Sequence, residues 1–377
     1  MYFRDIELLI KEYLNSKEII IIYGARQTGK TTLLNKMFSG DQDTLILNCE
    51  RPMIKDVLEN MDLSQYRLLF RNKKVIALDE AQTIQNIGKI LKLIYDSPDL
   101  NHKIIATGSS SFDLAGKISE PLTGRNIKFR IFPLSYNEIA GNKSWLWCQE
   151  NLEELLIYGS YPGIMDKAIT EKELMLNNLT SDYLYKDIFE LEQIRNHGVL
   201  RKLVQALAWQ IGSQVSYNEI ANMVGTSMKT IEKYIDLLEK SFVIFRVSSF
   251  NRNLRNEIKK SKKYYFYDNG IRNAVINNFS PLINRQDKGS LWENYCMSER
   301  MKYNSIHNPL VNTYFWRTYD GGEIDLVEEK NEKIQAFEFK YNPKSKVNIP
   351  NNFVNTYQPQ SSKVVTLDNL HEFLMQR

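Results

Sequence analysis

Apolar residues along this chain follow two patterns: short unbroken runs, and longer stretches in which they recur every three or four positions. Ile19 to Tyr23, Thr44 to Cys49, Val75 to Leu78 and Lys103 to Thr107 are of the first kind and predict strands, and Ile127 to Phe132, ending at Pro133, is a further strand. Thr32 to Phe38 is helix-like. Strands alternating with helical segments predict a parallel sheet covered by helices, which binds ligands at the carboxyl ends of its strands. Asn151 to Ile164 and Glu171 to Leu191 carry helical spacing, interrupted by Gly159-Ser160-Tyr161-Pro162-Gly163, and predict a small helical lid.

Beyond the lid the order is helix, helix, glycine turn, helix, strand: Leu200 to Ile211, Val215 to Ser227, Thr230 to Lys240 and Val243 to Ser248. Ser216 is placed to cap a short helix ending near Gly225, and Ser227 a second whose Ile231, Ile235, Leu237 and Leu238 face inward. Such a pattern with a following hairpin describes a winged helix. On DNA, Lys229, Lys233 and Asn218 would make contacts, with Arg252, Arg255, Lys259, Lys260, Lys262 and Lys263 on phosphates. A protein-contact module fits the same order, and the second helix also carries Glu232, Asp236 and Glu239.

The segment Gly24-Ala25-Arg26-Gln27-Thr28-Gly29-Lys30-Thr31 sits between the first strand and the first helix and is a Walker A phosphate loop. Its two glycines let amide N–H groups and a helix N-terminus surround a polyphosphate. Lys30 would reach the β- and γ-phosphates, Thr31 would ligate Mg²⁺, and Thr32 begins the helix that follows. Val75 to Glu80 reads as a Walker B strand: Asp79 would hold Mg²⁺ through water, and Glu80 would orient or deprotonate the attacking water. Thr107 or Ser109, at the end of the strand Lys103 to Thr107, is a candidate γ-phosphate sensor, or else part of an ordinary hydroxyl-rich turn that runs on through Ser110 and Ser111. Arg125, after Ser119 to Thr123, is a candidate arginine finger toward a neighbouring subunit; the plain alternative is a surface arginine paired with an acid. Tyr2, Phe3 and Arg4 either line the adenine pocket or are structural.

A second constellation lies near the carboxyl end. Asp325, in Gly322-Glu323-Ile324-Asp325, and Glu338-Phe339-Lys340 fall on two adjacent hairpin strands, with Glu338 and Lys340 on one face. Glu293, on a preceding helix, would complete a carboxylate cluster able to bind Mg²⁺ or Mn²⁺, with Lys340 positioning a water for attack on a phosphodiester. A solvated strand face with alternating Glu and Lys is the simpler alternative.

Composition narrows the class. At 377 residues and 43% hydrophobic content the chain can bury more than one core, so several domains are expected. Cys49, Cys148 and Cys296 are widely spaced, with no CxxC pair, which argues against disulfides and structural zinc. No apolar run approaches the roughly 18 residues that span a bilayer, and Met1 to Asp5 opens an amphipathic helix, so the expectation is a cytoplasmic protein without a membrane partner. A net charge of +4 permits nucleic-acid binding without arguing strongly for it.

Residues 24 to 34, Leu-Asp-Glu-Ala-Gln at 78 to 82, Ala-Thr-Gly-Ser-Ser-Ser at 106 to 111, Gly-Arg at 124 to 125 and Phe-Pro-Leu-Ser-Tyr-Asn-Glu at 132 to 138 closely resemble prokaryotic AAA-like P-loop ATPases. Gly-Ser-Tyr-Pro-Gly, Tyr-Phe-Tyr-Asp-Asn-Gly at 265 to 270, Gly-Gly-Glu-Ile-Asp and Glu-Phe-Lys extend the resemblance over nearly the whole chain. It implies ATP and Mg²⁺ as cofactors, and a C-terminal domain of uncharacterised function that looks like the PD-(D/E)XK nuclease fold, with Glu293, Asp325, Glu338 and Lys340 at its motif positions. Ile324 stands where the commoner motif has proline. The resulting expectation is an α/β chain: a RecA/AAA-like parallel-sheet P-loop core (1–140), a helical lid (141–195), a winged-helix domain (196–270) and an α/β restriction-endonuclease-like C-terminal domain (271–377). The function expected is Mg²⁺-dependent ATP hydrolysis coupled to DNA binding or processing, in a homo-oligomer that can include a ring. The rival is a nucleotide-switched interaction module whose nuclease-like domain is inactive.

Overall fold

A computed structural model of the chain describes residues 1–109, 122–181, 196–251, 262–318, 321–345 and 349–375. Ser110, Ser111, Ser119 to Pro121, the distal part of the second lid helix from residue 182, and Arg252, Arg255, Lys259 and Lys260 lie outside these. The described residues form two compact units: Met1–Pro133 with Lys240–Phe242, and the remainder.

In the first unit, β1 (Ile19–Tyr23), β2 (Thr44–Asn48), β3 (Val75–Asp79), β4 (Lys103–Gly108) and β5 (Asn126–Arg130) make one sheet in the order β2-β3-β4-β1-β5. All its pairings are parallel. β1, β3 and β4 are apolar on both faces, as a sheet covered on both sides requires, whereas β5 at the sheet edge alternates Ile127 and Phe129 with the exposed Lys128. The period of two divides β1 between layers. Ile19 and Ile21 pack with Ile76, Leu78, Leu91 and Ile94 on one side, whereas Ile20 and Ile22 meet Leu33, Leu34, Ala77 and Ile105 on the other. Leu33 and Leu34 belong to the helix Lys30–Phe38, which this packing holds against the end of β1.

The second unit carries β6 (Gln214–Val215), β7 (Ile244–Ser249), β8 (Lys262–Phe266), β9 (Asn312–Arg317), β10 (Glu323–Lys330), β11 (Lys333–Phe339) and β12 (Ser361–Val365). They form a seven-stranded sheet in the order β12-β11-β10-β9-β7-β8-β6. The expected division at residue 270 does not interrupt it: Ser248 and Ser249 of β7 pair in parallel with Tyr314 and Phe315 of β9. The helices Tyr217–Val224 and Met228–Lys240 appear as predicted, with Gly225 left-handed at φ 75° between them. Ser216 accepts from the Glu219 amide and Ser227 from the Thr230 amide. Ile231, Ile235, Leu237 and Leu238 are buried.

The helices Leu152–Tyr158 and Ile169–Asn178, expected as a lid on the ATPase core, group with this second unit instead. Buried polar ties explain it. Asn273 Nδ2 donates to the carbonyls of Leu156 (3.3 Å) and Ile157 (2.7 Å), and Asn269 Nδ2 to Leu156 (3.2 Å), satisfying carbonyls that the end of the helix Leu152–Tyr158 would otherwise leave orphaned. Asp268 accepts from the Ser160 amide at 2.8 Å and the Ile271 amide at 3.1 Å. The motifs at 159–163 and 265–270 are thus two sides of one contact. Among the described residues, no helix is long and apolar enough to cross a membrane.

Asp287 closes this region just before the helix Lys288–His307, accepting from Arg285 Nε (2.8 Å) and Arg272 (2.6 Å). Burial would raise its pKa, but the hydrogen bonds from Arg285 and Arg272 and their charges outweigh burial and bring it down to about 2. A depressed carboxylate stabilises the fold above its unfolded value and loses that contribution as pH falls through the folded one. Asp287→Asn should therefore be less stable than the parent by ~1–2 kcal/mol at pH 7, after allowing for screening of a side chain that is 22% exposed, with the gap closing between pH ~4 and ~2. Urea titrations of the two proteins at several pH values measure this, and a gap that ignores pH would refute it.

Candidate functional site

Loop and acids of the first unit meet where the sheet order brings them. β4 lies between β1 and β3, so Thr107, opposite Ile22 in register, stands between the phosphate loop and Asp79. Thr31 Oγ1 donates to Asp79 Oδ2 at 2.8 Å, and Thr107 Oγ1 donates to Asp79 Oδ1 at 2.6 Å. The Glu80 amide donates to Thr107 Oγ1 at 3.1 Å. Lys30 Nζ donates to the Gly24 and Ala25 carbonyls, each at 3.0 Å, and lies 3.9 Å from Glu80 Oε1. The loop is therefore stapled into shape by its own lysine. A side chain at Gly24 would overlap the Ile131 carbonyl oxygen, so glycine there answers a close approach of backbone. Gly29, at φ 98°, turns the chain into the helix Lys30–Phe38. Arg26, Gln27 and Thr32 are exposed on the loop's outer side, whereas Thr28 is buried and donates to the Ala25 carbonyl at 2.7 Å.

Several roles emerge only here. Glu80 is left-handed at φ 53°, a conformation non-glycine residues seldom adopt away from functional turns. Gln82 Nε2 donates to Glu80 Oε2 at 2.5 Å and to Ser109 Oγ at 3.2 Å, so Gln82 ties the candidate base to the end of β4. The sequence signal for it was the Asp-Glu-Ala-Gln run itself. Arg4 proves structural: its guanidinium donates to the carbonyls of Thr28 and Phe132, each at 2.7 Å, buttressing the loop from beneath. Arg125 lies at the amino end of β5, where its carbonyl accepts from the Ile19 amide, and its Nε donates to Asp96 at 2.9 Å. Since β1 and β5 run parallel, Arg125 is at the opposite end of the strands from its own phosphate loop.

The residues of the loop fit Mg²⁺: a hydroxyl and a carboxylate already within hydrogen-bond distance, with a second hydroxyl orienting the carboxylate, are the hard oxygen donors that ion takes alongside water and phosphate.

In the second unit Asp325, Glu338 and Lys340 are linked across β10 and β11. The Asp325 amide donates to Glu338 Oε2 at 3.3 Å, the Phe339 amide to Asp325 Oδ2 at 2.8 Å, and Lys340 Nζ to Glu338 Oε1 at 2.8 Å. A register shift in β10 between Ile324 and Val327 re-aims this stretch. The cluster also holds a residue assigned above to DNA phosphates. Lys263, 1% exposed, lies 3.2 Å from Glu293, 2.7 Å from Glu323 and 4.0 Å from Asp325. Tyr265 donates to Glu293 Oε1 at 2.6 Å. Burial alone would lower the pKa of Lys263, but Glu293, Asp325 and Glu323 outweigh it and hold it above the ordinary lysine range. Burial, with Glu293 and Glu338 nearby, pushes Asp325 well up, and burial also raises Glu293. Among the described residues, no three His, Cys, Asp or Glu side chains are gathered so as to hold a metal ion. Of the three acids expected to bind metal, Glu293 and Asp325 stand beside the Lys263 ammonium, and Glu338 pairs with Lys340.

Comparison with known proteins agrees with the first unit. Residues 16–140 match the model of an AAA domain, while 149–282 and 288–375 match two domains of unknown function (DUF8612 and DUF4143). An uncharacterised protein of Haemophilus influenzae is 26% identical over 84% of this chain and 80% of its own length. One from Methanocaldococcus jannaschii is 26% identical over 97% and 87%. The Walker-type ATPase of Pyrococcus abyssi superposes with a TM-score of 0.50 at 15% identity, over 73% of this chain and 96% of that one, a likeness of fold. The first unit thus matches an AAA domain and has the fold of a P-loop ATPase.

Proposed function

We propose that the protein hydrolyses ATP with Mg²⁺ at the phosphate loop and uses the cycle to change how its second unit engages DNA. The observation that carries the reading is the contact of Thr31 with Asp79, beside Lys30 and Glu80, at one end of a parallel sheet. Held by Thr31 and Asp79, Mg²⁺ would neutralise charge on the β- and γ-phosphate oxygens. Lys30 binds the same phosphates, Thr107 keeps Asp79 oriented, and Glu80 takes a proton from the attacking water. Ser109, joined to Glu80 through Gln82, is placed to sense the γ-phosphate. Arg125 can complete only a neighbouring subunit's site, given its end of the strands, which would make the active form a homo-oligomer.

For DNA the support is the helix pair Tyr217–Val224 and Met228–Lys240 with Asn218, Lys229 and Lys233 on its exposed side, followed by the β7–β8 hairpin. Lys263 is withdrawn from that surface by its burial. Lys263 stands against Glu293, Glu323 and Asp325 in the second unit, which favours a nucleotide-switched binding protein over a nuclease.

Phosphate release with Mg²⁺ and ATP tests the first part: turnover should fall to background in Lys30→Ala and on removing Mg²⁺, and hydrolysis unaffected by both would end the proposal. Duplex DNA affinity should fall steeply between ~50 and ~200 mM salt, and affinity indifferent to salt would exclude DNA as the partner.

A further inference from the structure

The resemblance to a metal-dependent nuclease predicts a divalent ion among Glu293, Asp325 and Glu338, and the structure answers with a lysine. We propose that Lys263 is a tethered counter-cation occupying the place of that ion, so that the carboxylates form an ionic clamp and take up no Mg²⁺ or Mn²⁺ while Lys263 is present. The proposal stands apart from ATP hydrolysis, because every residue in it belongs to the second unit.

Asp325 Oδ2 accepts the Phe339 amide, and Oδ1 faces Lys263 at 4.0 Å. Glu338 Oε2 accepts the Asp325 amide and Oε1 accepts Lys340. Glu293 Oε1 accepts Lys263 and Tyr265, and Glu323 Oε1 lies 2.7 Å from Lys263. Mg²⁺ fills its six positions partly with water but needs at least one or two carboxylates turned toward it. Here Asp325 Oδ2, both Glu338 oxygens, Glu293 Oε1 and Glu323 Oε1 already meet an amide, a hydroxyl or an ammonium, and Asp325 Oδ1 faces Lys263.

Position makes Lys263 hard to displace. It pairs in β8 with Val247 on one side and Gln214 on the other, so its backbone is interior to the sheet. Its ammonium sits 5.4 Å from the centre of the Phe315 ring, on β9. β8 presents Lys263 and Tyr265 on one face, both to Glu293, while Lys262 and Tyr264 on the other meet Tyr217. One ammonium therefore ties β8, the helix Lys288–His307 and β10 together. Leaving such a charge without its partners is costly, and a metal ion entering beside it would meet repulsion at close range.

The test counts Mn²⁺ bound by the full chain without nucleotide, using the electron paramagnetic resonance signal of the free ion, in an Asp79→Asn background that removes the phosphate-loop ligand. With Lys263 intact no stoichiometric binding is expected. Lys263→Met should gain one Mn²⁺ per chain, lost again when Asp325→Asn is added. Stoichiometric Mn²⁺ bound with Lys263 present and abolished by Asp325→Asn would overturn the proposal, as would a folded Lys263→Met protein that gains no site. Should Lys263→Met fail to fold, the Lys263-containing protein compared with its Asp325→Asn variant still decides.

Discussion

Glu80→Gln should lower ATP turnover by about 10²- to 10⁴-fold while leaving ATP affinity within a few fold of the parent. The glutamine keeps the size of Glu80 and one oxygen to accept from Gln82 Nε2, giving up only the long 3.9 Å contact with Lys30, so little rearrangement of the loop is expected. What it loses is the ability to accept a proton from water. The effect should thus fall on the chemical step and not on binding, corresponding to roughly 3–5 kcal/mol of barrier. Steady-state phosphate release paired with calorimetric ATP binding separates the two. Lys30→Ala makes the contrast, because the lysine both staples the loop through the Gly24 and Ala25 carbonyls and binds phosphate, so there the affinity itself should collapse. Turnover surviving in Glu80→Gln at a third or more of the parent value would remove Glu80 from the mechanism.

Gly270→Ala should destabilise the second unit by about 2–4 kcal/mol, against the preference of an isolated helix. Gly270 lies within the helix Asn269–Val275, where alanine would ordinarily be favoured by ~1 kcal/mol. Its missing Cβ, however, is the space filled by the carbonyl of Tyr158, which is backbone and has no rotamer to give. Gly159 faces the Asp268 carboxylate in the same way, so the two glycines let the segments approach and the Asn269, Asn273 and Asp268 hydrogen bonds form. Gly289, in the helix Lys288–His307, has nothing near its would-be Cβ. Gly289→Ala should be neutral or stabilising by up to ~1 kcal/mol. Denaturant unfolding of both variants measures the pair, and equal effects at the two glycines would show that packing at Tyr158 is not the cause.

Much of the first unit was legible because its signals are local. A run such as Ile19 to Tyr23 can lie only in a strand covered on both sides, and the phosphate loop is a matter of backbone freedom at fixed spacing, so neighbours in sequence suffice to recognise it. Asp79 and Glu80 were legible for the same reason, as acids at a strand end. That β4 stands between β1 and β3, making Thr107 the residue that orients Asp79, depends on strand order, which no single strand encodes. The lid was misplaced because the amphipathic spacing of Leu152–Tyr158 declares a buried face without saying what covers it; Asn269, Asn273 and Asp268, more than a hundred residues later, decide that.

Lys263 marks the boundary most sharply. In sequence it closes a cationic run and reads as a phosphate contact, and only the alternation of β8, which turns Lys262 and Tyr264 one way and Lys263 and Tyr265 the other, hinted otherwise. The chain by itself determined which segments become strands and helices and which residues make a phosphate loop, since those follow from apolar period, backbone freedom and caps within a few residues. Tertiary structure alone decided which charges meet, because a lysine's partner is set by distances across a sheet, and an ammonium beside three carboxylates has a different chemistry from one in water.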